Sequence, residues 1–231
     1  MQLMNNLMRK FFILFSLLFL SIECIPSVPC GVGLSDTIES QILNNGRAWR
    51  NLYYKIKGDQ FLFSTEFLPG TVTIEGRTFN SLRLKYDIYN DELIMITDHG
   101  IIIQINKEMV ESFSMVFDNF YNFKKIEADT LNSLTGYVNV LYDGITSLYI
   151  KYRKEILQLA VENKYDMFNQ INRIYVKKDG VISRVDSKRE FLNLFKDKKQ
   201  QLHAFIRSKK LKLSRKNPGS FQPVIEYYDT L

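Results

Sequence analysis

Leu82, Leu84, Tyr86 and Ile88 alternate with Ser81, Arg83, Lys85 and Asp87. That period of two is what a strand with one buried and one wet face requires. The same period, interrupted by paired turn residues, continues through residues 49–185 and predicts antiparallel strands joined as a meander. Pro69-Gly70 and Glu75-Gly76 mark early turns, Asn90-Asp91 turns the chain into residues 93–96, and Asp98-His99-Gly100 turns it into residues 101–105. Two hairpins stand out: YVNVLY before Asp143-Gly144 with ITSLYIKY after it, and RIYVKK before Asp179-Gly180 with VISRV after it. Asp-Gly between β-rich runs favours a type I′ turn, which needs positive φ at both central residues. Roughly eight to ten strands are predicted, within the range of a single sheet, half-barrel or small barrel.

Between the hairpins, Ile156, Leu159, Ala160 and Phe168 approximate helical spacing and predict a helical patch over residues 154–168, where the run from Asn163 to Asp166 reads equally as a loop. After Val185 the pattern changes. Ser187 and Glu190 form a capping box that opens a helix with Phe191, Leu192, Leu194 and Phe195 on one side. A second start at Asp197 leads into a segment with Leu202, Phe205 and Ile206 on one face, and Asn217-Pro218-Gly219 stops it. Val224, Ile225 and Tyr228 make the last residues a short docked element. The predicted fold class is therefore α+β: an antiparallel β-meander, half-barrel or small barrel-like sheet, over residues 49–185, followed by C-terminal basic amphipathic helices over residues 186–231 that pack on it. Residues 31–48 read as an N-terminal linker.

Ahead of that linker, Arg9 and Lys10 precede twelve uncharged residues, FFILFSLLFLSI, which end at Glu23. A membrane-spanning helix needs about 20 apolar residues, so residues 1–30 read as a secretory signal peptide with cleavage near residues 27–31. Glu23 precedes Cys24 and Pro29 precedes Cys30. Neither is the small residue that lipidation of the following cysteine requires, so soluble export to the periplasm or outer membrane is favoured over a lipoprotein. Cleavage beyond Cys30 would leave no cysteine and no thiol chemistry.

Composition narrows the function classes. With 45% hydrophobic and 13% aromatic residues the chain has material for a real core, and with 2 His and 2 Cys it has little for metal or His-based catalysis. His99 stands in a turn and His203 in the basic helix, without a ligand set or triad beside them. No phosphate-binding Gly-rich loop, His-Glu-x-x-His or Gly-x-Ser-x-Gly is present. A non-catalytic protein without cofactor or metal is expected.

Charge is concentrated. Residues 188–216 hold eleven Lys or Arg against Glu190 and Asp197, a net of +9 in a chain whose total is +6. Lys198, Lys199, Arg207, Lys209, Lys210, Lys212, Arg215 and Lys216 are accordingly candidates for contact with an anionic membrane surface, an acidic glycan or an envelope protein, against the plainer alternative of a solvated helix face. Nucleic acid is not expected, because export leads away from it and the aromatic residues stand at core spacing. Phe61, Phe63, Phe67, Phe113, Met115 and Phe117 are candidate lining for an apolar ligand on a concave sheet face, or ordinary core. Asp87, Asp91 and Glu92 have the residue types of glycoside hydrolysis or divalent-metal binding, but they flank a hairpin turn, where Asp is favoured for local hydrogen bonding.

Four stretches carry a resemblance: GTVTIEGRTFNSLRLKYDIYNDELIMI at 70–96, YVNVLYDGITSLYIKYRK at 137–154, RIYVKKDG at 173–180 and FLNLFKDKKQQLHAFIRSKKLK at 191–212. Together they are similar to a family of secreted proteins of unknown function from Bacteroidota. The resemblance implies an exported or envelope location and a β-rich body with a helical C-terminus, and it brings no activity or catalytic motif. In outline the chain also resembles periplasmic half-barrel lipoprotein carriers, a likeness of architecture alone.

Overall fold

The computed structural model describes residues 41–127, 134–158 and 165–231, all within the unit Glu39–Leu231. Residues 1–30, read above as a signal peptide, with Cys24 and Cys30, lie outside the described residues. The alternating stretches form one eleven-stranded sheet in which every neighbouring pair is antiparallel. Its strands are β1 (Gly46–Ala48), β2 (Leu68–Ile74), β3 (Arg77–Asp87), β4 (Glu92–Ile96), β5 (Ile102–Ile105), β6 (Val110–Val116), β7 (Phe120–Ile126), β8 (Gly136–Asp143), β9 (Ser147–Leu157), β10 (Met167–Lys178) and β11 (Val181–Val185). The spatial order is β1-β5-β4-β3-β2-β6-β7-β8-β9-β10-β11. Two meanders thus run in opposite directions from the shared β2–β6 pair, and β1 caps the outer edge of the first.

That order forces curvature. Residues 106–109 alone connect β5 to β6, although β4, β3 and β2 lie between them. In a flat sheet the gap would be about 19 Å at about 4.8 Å per strand. The connection contains a turn, with the Met109 N–H donating to the Asn106 carbonyl at 3.1 Å, so it spans less than that and the sheet must roll. Residues 60–62 then cross the roll: Leu62 N–H donates to the Tyr86 carbonyl at 2.9 Å and Ile88 N–H to the Gln60 carbonyl at 3.0 Å. From the far side, Lys154 N–H donates to the Ile88 carbonyl at 3.1 Å.

Inside the roll lie the apolar positions of β2 to β9, closed over by Leu62. Phe113 and Phe123 stack at 4.6 Å, and Tyr86 meets them edge-on at 5.2 and 5.3 Å. The remainder of the concave face, Leu148, Ile174, Val176 and Val185, is covered by α1 (Lys188–Leu194), α2 (Lys199–Ser208) and α3 (Gln222–Tyr228) through Phe191, Phe195, Leu202, Phe221, Val224 and Ile225. On the convex side Leu134, Val138, Tyr149 and Tyr175 form a smaller cluster. Among the described residues no helix is long and apolar enough to cross a membrane.

The α+β meander is as expected, with five differences. Pro69-Gly70, read as a turn, lies inside β2, where Pro69 pairs with Arg83 and Gly70 with Leu82 and Met115. The sheet has eleven strands and begins at β1, inside the stretch read as a linker. The helical patch over residues 154–168 is corrected: β9 runs to Leu157 and β10 begins at Met167, paired in register from Met167 opposite Leu157 to Lys177 opposite Ser147. Ile156 and Phe168 share a side because they are cross-strand partners; Leu159 and Ala160 lie outside the described residues. Asp197 sits in a short 3-10 turn, Lys196–Lys198, and the second helix starts at Lys199. The Asp-Gly turns also differ from one another. Asp179 and Gly180 have φ of +52° and +80° between the paired Lys178 and Val181, as type I′ demands. Asp143 and Gly144 have no positive φ, and the loop closes with Asp143 opposite Ser147.

Candidate functional site

The eight basic candidates lie on the helical layer and its connection to α3. Leu202 and Ile206 turn one side of α2 into the core, and Phe205 stacks on Tyr227 of α3 at 4.2 Å, so the remaining side faces solvent. Lys199, Arg207, Lys209, Lys210, Lys212, Arg215 and Lys216 are exposed and Lys198 is half-buried. Among the described residues only Arg215 of the eight has a carboxylate within 4.0 Å, that of Asp186 at 3.8 Å. The other seven charges are uncompensated locally. The layer is tied to the turn end of β8–β11. Asp229 accepts from the Thr146 N–H at 3.0 Å and the Tyr142 hydroxyl at 3.1 Å, and Asp197 accepts from Lys178 and Tyr228, both at 2.8 Å.

Antiparallel order places the β6–β7, β8–β9 and β10–β11 turns at that same end. Exposed apolar side chains gather on their tips: Val116, Phe117 and Phe120 on the first, Ile145 (84% exposed) on the second, Val181 on the third. Phe117, a candidate lining residue, is thus half exposed at a turn. Phe63 bridges from it to the core, stacking on Phe117 at 5.4 Å and touching Tyr121 at 4.3 Å. Phe61 packs beside Trp49 at 5.9 Å, and Phe67 lies under the Lys85 ammonium at 4.2 Å. Phe113 and Met115 belong to the packed interior of the roll. The structure therefore does not gather these six around one space.

The three carboxylates of the β3–β4 turn go to different partners. Asp87 is buried and accepts from the Tyr89 and Asn90 N–H groups at 3.0 and 2.9 Å and from the Asn90 side-chain amide at 2.9 Å. Burial raises its pKa against the lowering effect of those bonds. Glu92 pairs with Arg47 at 3.2 Å. Asp91, at φ +60°, is held by Lys151 at 2.7 Å, Lys107 at 2.8 Å and the Tyr86 hydroxyl at 2.5 Å. Burial pushes its carboxyl up, but the Lys151 charge and these three bonds outweigh it and hold the carboxyl below the usual range. Lys151 also donates to the Tyr137 carbonyl at 2.9 Å, and burial lowers its pKa despite Asp91. Tyr86 is raised well above an ordinary tyrosine by burial and by Asp91. A β-carbon at Gly136, whose φ is +77°, would run into the Asp91 carboxylate. This group joins the β3–β4 turn, the β5–β6 connection and β8–β9, and its chemistry is that of a lock.

Asp87 and Glu92 also border a cleft of about 300 Å³ that the sequence reading did not find, shared by Arg47, Trp49, Arg50, Tyr53, Gln60, Asn90 and Gln104. Its residues come from β1 and the segment after it, the crossing segment, the end of β3 with its turn into β4, and β5. A lone Trp beside Arg50 was the one visible signal. A second cavity, about 510 Å³, is bordered by Arg83, Met95, Asp98 and His99. His203 is exposed on α2. Among the described residues no cluster of three or more His, Cys, Asp or Glu side chains is placed to hold a metal ion. No family model, curated protein or solved structure matches the chain.

Proposed function

We propose that this chain is an exported, non-catalytic envelope protein, an interaction module whose basic helical layer rests on an anionic lipid surface. The observation that carries the reading is the set of seven lysine and arginine charges that have no carboxylate within 4.0 Å among the described residues. Clustered cations of this kind gain about 1 kcal/mol each near an anionic leaflet. The apolar turn tips support a lipid surface over a soluble polyanion, because they lie at the end to which the layer is tied. The envelope location implied by the family resemblance is part of the same proposal.

Flotation with vesicles tests it. The mature chain is expected to bind phosphatidylglycerol-containing vesicles at low salt, to ignore pure phosphatidylcholine, and to release as ionic strength rises. Replacing Lys209, Lys210 and Lys212 with Ala should weaken binding by about 3 kcal/mol, roughly a hundredfold. Unchanged binding in that variant, or binding to an acidic glycan alone, would overturn the lipid reading.

A second reading, a carrier of an apolar ligand inside the curved sheet, is favoured by one observation. Residues 60–63 cross the concave face, and Phe63 sits there at φ +67°, a conformation costly for a bulky side chain. Opening that segment would expose the aromatic interior. Native mass spectrometry of protein from its own envelope fraction should then show a retained lipid-sized adduct, and a bare chain would remove this reading.

A further inference from the structure

Gln60 is only 2% exposed, yet among the described residues its side-chain amide finds no hydrogen-bond partner. Its backbone carbonyl is taken by Ile88, and its side chain borders the cleft beside Trp49. Among the described residues the buried side-chain atom without a partner is Arg173 Nε and not the Gln60 amide, so the little exposure that Gln60 keeps is at its amide, which opens into the cleft. A side chain enclosed on every side but its hydrogen-bonding end leaves that end for water or a ligand in the cleft to meet. We infer that this cleft is a binding site for a neutral sugar ring.

The chemistry of the lining selects the class. Two guanidinium groups, Arg47 and Arg50, stand against two carboxylates, Asp87 and Glu92, so the cleft balances its own charge and draws neither an anion nor a cation strongly. It nevertheless presents many donors and acceptors, and Gln60 and Gln104 add amides that do both. An apolar ligand would leave these groups desolvated and unpaired. A sugar hydroxyl donates and accepts at once and answers such a surface, while the Trp49 ring offers a flat apolar face to the C–H side of a pyranose. The volume, about 300 Å³, is at the small end of ligand pockets.

The groups are also held in place before any ligand arrives. Arg47 donates through Nε to the Gln104 side-chain carbonyl at 2.7 Å and through a terminal nitrogen to Glu92 at 3.2 Å. Trp49 N–H donates to the Ile102 carbonyl at 3.1 Å, continuing the β1–β5 pairing, and its ring rests on Phe61. The Asp87 carboxylate is fixed by three bonds from its own turn. Among the described residues the Gln60 amide, the Arg50 guanidinium and the Trp49 indole N–H are the cleft groups left without a side-chain hydrogen bond, the Trp49 bond to Ile102 being made by its backbone N–H.

Trp49 is the single tryptophan of the chain, so intrinsic emission reports on this cleft directly. The test titrates the mature protein with glucose, galactose, N-acetylglucosamine and their β-linked disaccharides, with glucuronate as a charged control, and repeats each titration by calorimetry. A saturable change with at least one neutral sugar is expected, with glucuronate weaker. Gln60→Met keeps the shape and removes the amide. It should lower affinity at least tenfold while leaving the urea midpoint unchanged or raised, a combination that a purely structural glutamine would not give. Arg50→Ala, at an exposed position, should weaken binding severalfold. No saturable signal by either method, equal binding by Gln60→Met, or preference for glucuronate would overturn the inference. Vesicle binding is expected to be the same in Gln60→Met and the parent, which separates a failure here from a failure of the lipid reading.

Discussion

The same three side-chain types are joined twice among the described residues, once around the nearly buried Lys151 and once at the edge of the helical layer. Asp91 accepts from Tyr86 and Lys151; Asp197 accepts from Tyr228 and Lys178. The bond lengths are alike and the surroundings are not. The Lys151 side chain is 7% exposed, and loss of water outweighs Asp91 and lowers its pKa. The Lys178 side chain is 20% exposed and its partner Asp197 46%. There burial also works against the charge, but Asp197 and Tyr228 together outweigh it and hold the Lys178 pKa above its ordinary value. Burial, not bonding pattern, decides whether such a triad is an obligation of the fold or an ornament of its surface.

The comparison is broken most severely at Asp91. Asp91→Ala leaves Lys151 charged and buried opposite nothing but the Tyr137 carbonyl, and should cost about 3–5 kcal/mol in urea unfolding. Gly136→Ala should approach that loss, since it combines a strained φ with a collision with the carboxylate. Asp229→Ala comes next. It orphans the buried Thr146 N–H, for about 2 kcal/mol by the same measurement. Asp197→Ala should cost under about 1 kcal/mol, shrinking further in 0.5 M salt.

Acid titration sharpens the contrast. Asp91 is depressed in the folded state, so its stabilisation is complete above the unfolded carboxylate value of about 3.9 and is lost as pH falls through the lower folded value. The slope of unfolding free energy against pH should therefore be steep below about pH 4 and flatten in Asp91→Asn. If Asp197→Asn flattens it more, the ranking of the two triads is wrong.

What the sequence made legible is what neighbours in sequence determine. The alternation through residues 82–86 and the Ser187 cap on Glu190 emerge as read, because each is settled within a few residues, whereas Asp87, placed on the wet face by the same alternation, is 1% exposed and turned onto the Tyr89 and Asn90 N–H groups. The Asp179-Gly180 turn is as local as it looks. Asp143-Gly144 is not: Asp229 docks on Thr146, a β-carbon at Gly144 would press on Asp229 and the Tyr142 hydroxyl, and the Asp143 carboxylate is taken by Ser147, Tyr149 and Lys124. A contact more than eighty residues away reshapes that turn. The sheet order follows from the roll, which no single segment encodes. The cleft is assembled from residues 47 to 104 and the Asp91 lock from residues 86 to 151. Neither leaves a motif, and residues 154–168 misled because cross-strand partners imitated a helical face.

The position of the helical layer also sets a timetable. Every strand leaves the ribosome before the helices that cover β9–β11, and the last tie, from Asp229 to Thr146, waits for 83 further residues. Until α3 arrives, Leu148, Ile174 and Val176 present an apolar face to whatever is near. The rolled half needs only segments already made, so the nascent chain passes through a stage with one finished half and one adhesive surface, the stage at which a chaperone has something to hold.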